Sequence, residues 1–143
     1  MSTCTFCGHH DAADNIRPIL YASIEKLILE NKADTFYVGN HGNFDRMVLS
    51  VLREMQKKYH QISYYVVLAY LPEKKDEFPR YAYNETVLPE GIESTPKRFA
   101  ITYRNKWMVE QSQYMIAYVK NSFGGASKTL EYATKRHLNI IEM

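Results

Sequence analysis

"ISYYVVLAYL", residues 62–71, decides how the rest of the chain is read. It is rich in β-branched and aromatic residues, which favour a strand. It does not alternate polar with apolar, so both its faces are buried, as in a parallel sheet covered by helices. Pro72 stops it, because proline cannot extend a ladder.

Working outward, the flanking segments supply the helices that such a sheet needs. Upstream, Phe44, Met47, Val48, Val51, Leu52 and Met55 recur at helical spacing, with Asn43 as cap. Before them, Thr35–Val38 reads as a strand ending at Gly39. Ile16, Leu20, Ile24, Leu27 and Ile28 mark an earlier helix, with Asp14 or Asn15 as cap and Pro18 in its first turn. Downstream, residues 73–95 are mostly polar, contain Pro79 and Pro89, and read as a long irregular excursion. The mixed charges of Glu73, Lys74, Lys75, Asp76 and Glu77 read as solvated loop. Thr95 as cap and Pro96 at the first position open a helix through about Glu110. Tyr114–Val119 forms a strand, Ser127–Arg136 a helix and Leu138–Ile141 a closing strand. The order βαβαβ, loop, αβαβ implies one α/β domain over residues 1–143, with helices on both faces of a parallel sheet.

Composition narrows the function classes. With 143 residues the chain can bury a core without a disulfide or metal. A net charge of +2 and no basic stripe argue against nucleic acid as partner. No apolar run reaches the roughly 18 residues of a membrane span, and MSTCTF lacks the basic flank of a signal peptide. A cytoplasmic protein with reduced thiols is expected. The twelve tyrosines and the apolar content make a homo-oligomer an expectation as well.

"CTFCGHH", residues 4–10, has CxxC spacing, yet a strand points residues i and i+3 to opposite faces. Cys4 and Cys7 are therefore expected as packing residues of a core strand, with no metal or cofactor. Gly8-His9 then closes the strand. A histidine there can donate to a phosphate or simply occupy a turn.

Glycines mark several strand ends. "FGGASK", residues 123–128, places Gly124 and Gly125 after a strand and before a helix, where unpaired amides suit an anion. Ser127 and Lys128 add a hydroxyl and a cation. The alternative is a plain strand-to-helix turn. "VGNHGNFD", residues 38–45, carries Gly39 and Gly42. Asp45 there either bonds a ribose hydroxyl or favours the helix N-terminus, and His41 reads as an exposed turn residue. In "YRNKWMVEQS", residues 103–112, Arg104 and Met108 share a helix face. Arginine suits phosphate, and the alternative is a solvated charged face with Trp107 in the core.

Together these motifs, with VVLAYLP and FGGASKTLEYA, resemble the SLOG superfamily of Rossmann-like proteins, and within it the small single-domain forms of bacteria and their phages. The resemblance implies a three-layer sandwich with a parallel five-stranded sheet in order 3-2-1-4-5. It places the ligand at the switch point between strands one and four. The superfamily includes the Lonely Guy phosphoribohydrolases, with the signature PGGxGTxxE and an upstream arginine–methionine helix. Gly124, Gly125, Glu131, Arg104 and Met108 match that pattern. Phe123, Ser127 and Lys128 depart from it and alter the phosphate cradle.

The resemblance implies a nucleotide-derived ligand, such as a cyclic nucleotide or an NAD- or ADP-ribose-derived immune signal, held by a sensor or a sequestering sponge. The phosphate would rest on Gly124, Gly125, Ala126 and Ser127, neutralised by Arg104 or Lys128. Asp45 or Asn40 would read the ribose beside Gly8, His9, Gly39 and Gly42, and tyrosines of residues 70–86 would stack on a base. The alternative it implies is cleavage of a nucleoside monophosphate's N-glycosidic bond, with Arg104 and Glu131 as catalytic residues.

Overall fold

The computed structural model describes residues 2–70 and 85–143. Six strands are present among them: β1 (Ser2–Gly8), β2 (Ala33–Val38), β3 (Ser63–Val67), β4 (Thr86–Val87), β5 (Tyr114–Tyr118) and β6 (Asn139–Glu142). Four α-helices connect them: α1 (Arg17–Asn31), α2 (Asn43–Lys58), α3 (Lys97–Glu110) and α4 (Gly125–Lys135). The sheet order is β4-β3-β2-β1-β5-β6, and every adjacent pair is parallel. This is the parallel α/β sheet that the alternating pattern implied, in the Rossmann-like form that the resemblance implied.

The strand count is corrected from five to six. The expected order is retained within it, and β4 is added beside β3, where Val66 pairs with Thr86 and Val67 with Val87. A two-residue strand in a polar, proline-flanked stretch has no periodicity to reveal it. β3 itself is shorter than the run that announced it, ending at Val67. Its end at Pro72, the charge run Glu73–Glu77 and most of the expected excursion lie outside the described residues.

Two apolar layers sandwich the sheet. Leu20, Ile24, Leu27 and Ile28 of α1 and Phe44, Val48, Val51, Leu52 and Met55 of α2 pack on Cys4, Phe6, Phe36, Val38 and Ile116. On the other face Val109 of α3 and Ala133 of α4 pack on Cys7, Met115 and Ala117. Cys4 and Cys7 thus enter opposite layers, as the strand geometry requires. Burial pushes both thiols up, Cys7 to about 12.

The helix starts differ from expectation. A 3-10 turn, Asp14–Ile16, precedes α1, and neither Asp14 nor Asn15 caps it; the Asp14 carboxylate instead accepts from Asn43 Nδ2 at 2.8 Å. Asn43 is the first residue of α2 rather than its cap, and also donates to the Ala12 carbonyl at 2.6 Å. Pro96 holds the cap position of α3, because its carbonyl accepts the Phe99 amide at 2.8 Å; the Thr95 hydroxyl donates to Gly91 O at 3.3 Å. α4 begins two residues early, since Gly124 at φ 95° turns the chain directly into it.

Candidate functional site

The chain leaves β1 toward β2, β3 and β4 on one side, then returns to β5 on the other. The carboxyl ends of β1 and β5 therefore flank the topological switch point, where doubly wound sheets hold ligands. A cavity of about 450 Å³ lies there. The end of β1 and the residue after it contribute Gly8 and His9, α3 contributes Ile101, Arg104, Asn105 and Met108, and the β5–α4 turn with the start of α4 contributes Phe123, Gly124, Gly125 and Ala126.

Each glycine has its own reason. A side chain on Gly8 would meet the Phe44 ring at 2.3 Å, so that glycine serves packing. One on Gly39 would sit 2.8 Å from Asp45 Oδ2 and 3.0 Å from Arg104 Cζ. At Gly124 and Gly125, by contrast, nothing lies within 4 Å of the place a Cβ would take. Gly124 needs its positive φ. Gly125 needs neither that conformation nor the space for a protein neighbour. α4 also starts without a side-chain cap, so its first amides, beside the cavity, have no side-chain acceptor.

The floor of the cavity is a polar network around Arg104, which is 2% exposed. Its Nη1 donates to Asn40 Oδ1 and to the Val67 carbonyl, each at 3.0 Å, and its Nε to Asn105 Oδ1 at 2.8 Å. Nη2 lies 3.2 Å from His41 Nδ1. A guanidinium only donates, so Nδ1 accepts and Nε2 carries the proton, directed at the Tyr70 hydroxyl 3.3 Å away. His41 is accordingly half-buried and bonded, not an exposed turn residue. Its pKa is lowered, first by burial and then by Arg104. Burial likewise lowers that of Arg104, against the pull of Asp45 and Tyr70.

Asp45 sits beside this network with Oδ2 accepting the His41 amide at 3.1 Å. Burial raises its pKa from 3.8 to about 6, while Arg104 and that amide pull the other way. Asp45 lines both this cavity and a second one of about 520 Å³, formed with Gly39, Asn40 and Gly42. Of the expected strand-two residues, Asp45 thus reaches the cavity of Gly124 and Gly125, whereas Gly39, Asn40 and Gly42 line the second one, and Asn40 is committed to Arg104.

Three further expected residues, on α4, are also not brought to the switch-point cavity. Ser127, Lys128 and Glu131 do not line it. α4 turns Gly125, Ala126 and Thr129 inward, and at about 100° per residue Glu131 then faces outward. Its carboxylate is two-thirds exposed and lies 3.4 Å from Lys135 Nζ. The carboxylates at this cavity are Asp11 and Asp45.

Asn105, Thr129, Ile101 and Phe123 also line the cavity and were not among the expected residues. Ile101, Arg104, Asn105 and Met108 follow the i, i+3, i+4, i+7 stripe of one helix face, which is the signal that finds the first of these. Of the tyrosines expected to stack on a base, Tyr70 is described, bonded to His41; Tyr81 and Tyr83 lie outside the described residues. Among the described residues no cluster of three His, Cys, Asp or Glu side chains is placed to hold a metal ion, and no helix is long and apolar enough to cross a membrane. Compared with protein-family models and with curated proteins, the chain matches none.

Proposed function

We propose that the chain binds a nucleotide-derived ligand in the switch-point cavity and acts as a cytoplasmic sensor or sequestering protein of the SLOG type. One observation carries this reading. Gly125 has ordinary backbone torsion and no neighbour within 4 Å of its Cβ direction, at the uncapped start of a helix that opens on a cavity. Glycine there has no packing use and fits close approach of a ligand to the amides.

A volume of about 450 Å³ lies in the range of small-molecule sites, which suits a mononucleotide or dinucleotide fragment. Ile19 and Leu29 on α1, 57% and 61% exposed, offer an apolar face for the expected homo-oligomer. The phosphoribohydrolase reading has less support, because Glu131 faces solvent and would have to be replaced in its role by Asp11 or Asp45.

The test is native mass spectrometry of the protein with a panel of nucleoside monophosphates, NAD, ADP-ribose isomers and cyclic di- and trinucleotides. An intact ligand at stoichiometric occupancy is expected. Recovery of free base and ribose phosphate would replace binding by hydrolysis, and no retention of any panel member would sink the reading.

A further inference from the structure

Two cavity residues have the sense of their hydrogen bonds fixed by partners that cannot reverse. The Lys120 backbone N–H donates to His9 Nε2 at 2.7 Å. An amide N–H only donates, so Nε2 is an acceptor and the neutral ring carries its proton on Nδ1. The Tyr118 ring packs against it at 73°, with 5.8 Å between ring centroids. On α3, the Nε–H of Arg104 donates to Asn105 Oδ1 at 2.8 Å. Guanidinium has no acceptor, so Asn105 must present its carbonyl to Arg104 and turn its NH₂ away.

Both residues line the switch-point cavity, and neither His9 Nδ1 nor Asn105 Nδ2 has an acceptor among the described residues. Arg104 lines the same cavity while 2% exposed. Its four hydrogen bonds leave one of its five N–H groups, on Nη2, without an acceptor among the described residues. The third wall is the open backbone at Gly125 and Ala126. Donors lacking acceptors thus line one cavity from three places: the residue after β1, α3 and the start of α4.

We propose that this cavity holds an oxyanion, the phosphoryl group of its ligand, through His9 Nδ1–H, Asn105 Nδ2–H and the first amides of α4. Arg104 and the Lys120 amide are positioning partners that set the two side-chain donors. The cavity's carboxylates, Asp11 and Asp45, accept from hydroxyls, so the site is donor-lined at one part and acceptor-lined at another. The proposal rests on the nucleotide reading for the rest of the ligand, but the oxyanion assignment stands on the donors alone.

Isothermal titration of the wild-type chain with inorganic phosphate, adenosine 5′-monophosphate, adenosine and the panel above tests it, alongside His9→Gln and Asn105→Asp. Glutamine keeps an acceptor for the Lys120 amide and loses Nδ1–H. Aspartate keeps an acceptor for Arg104 and replaces the NH₂ with an oxygen. The monophosphate should bind at least about tenfold more tightly than adenosine, and each variant should lose about tenfold or more with an unchanged circular dichroism spectrum. In wild-type protein, ¹⁵N spectra should show His9 protonated at Nδ1, a readout that needs no variant; protonation at Nε2 alone overturns the assignment. Variants that bind the monophosphate as wild type does, or adenosine binding equal to the monophosphate, overturn the oxyanion proposal and leave the nucleotide reading standing. Inorganic phosphate bound with no nucleotide bound does the reverse. If nothing binds, both fall.

Discussion

Gly42 and Gly124 hold nearly the same backbone conformation, with φ and ψ of 94° and 175° in one and 95° and 178° in the other, each at the start of a helix. Only Gly42 has the place of its missing side chain filled, by His10 Cα at 2.4 Å. The same turn is therefore packed shut on β2 and left open on β5. Gly42→Ala should cost about 3 kcal/mol or more, from strain and clash together, and Gly124→Ala about 1–2 kcal/mol from strain alone. Gly125→Ala should change stability by less than about 1 kcal/mol yet weaken ligand binding about tenfold. Urea denaturation and titration of the three variants separate these effects. Unaltered affinity in Gly125→Ala would detach the open turn from function.

Arg104 joins α3 to Asn40 and His41 of the β2–α2 turn and to the Val67 carbonyl at the end of β3. Arg104→Met should destabilise by about 3–5 kcal/mol, because it orphans those acceptors and leaves Asp45 without its cation. Arg104→Lys should recover little of this, since one ammonium cannot span acceptors arranged for a planar fork. A lysine variant as stable as wild type in urea would show that the charge alone matters.

The pH dependence has a defined sign at Asp45. Its folded pKa of about 6 lies above the ordinary 3.8, so between about pH 4 and 6 the folded chain binds the extra proton. Stability from this group is full below that window and is lost as pH rises through it, by up to about 3 kcal/mol. His41, with a lowered pKa, acts in the opposite direction below its ordinary 6.5. Asp45→Asn should remove the falling component, so its stability should rise more steeply, or fall less, than wild type from pH 4 to 6. Parallel curves for the two proteins would refute the assignment.

Both thiols are buried, with Cys7 raised to about 12 and Cys4 raised further. Thiolate is the reactive form. At pH 8 an aromatic disulfide reagent should titrate neither cysteine in the folded protein and both after denaturation. Rapid release of one equivalent from native protein would place a thiol at the surface.

The sheet was legible because parallel strands are apolar throughout and their helices periodic, as in Ser63–Val67 and Phe44–Met55. β4 was not, because two residues paired at an edge leave no pattern. Arg104, Met108, Gly8, His9, Gly124 and Gly125 could be foreseen at the switch point from strand ends and helix faces. Glu131 could not be placed by motif alignment, since α4 begins at Gly125 and its rotation carries that carboxylate to solvent. The bonding of His41 was not legible because its partner, Arg104, lies 63 positions away, and no local signal records that.

The bracing of Arg104 also sets where the entropy of binding is lost. One wall of the cavity is tied to three elements and has little freedom left to surrender. The opposite wall, Gly124 to Ala126, has two adjacent glycines with nothing within 4 Å of where a Cβ would sit, and no side-chain cap. Ordering a glycine backbone is the most expensive kind, so affinity is limited by the few residues around Gly124 rather than by the arginine beneath. A ligand that protects the amides of residues 125–127 from hydrogen exchange, while leaving those around Arg104 unchanged, is what this division of rigidity requires.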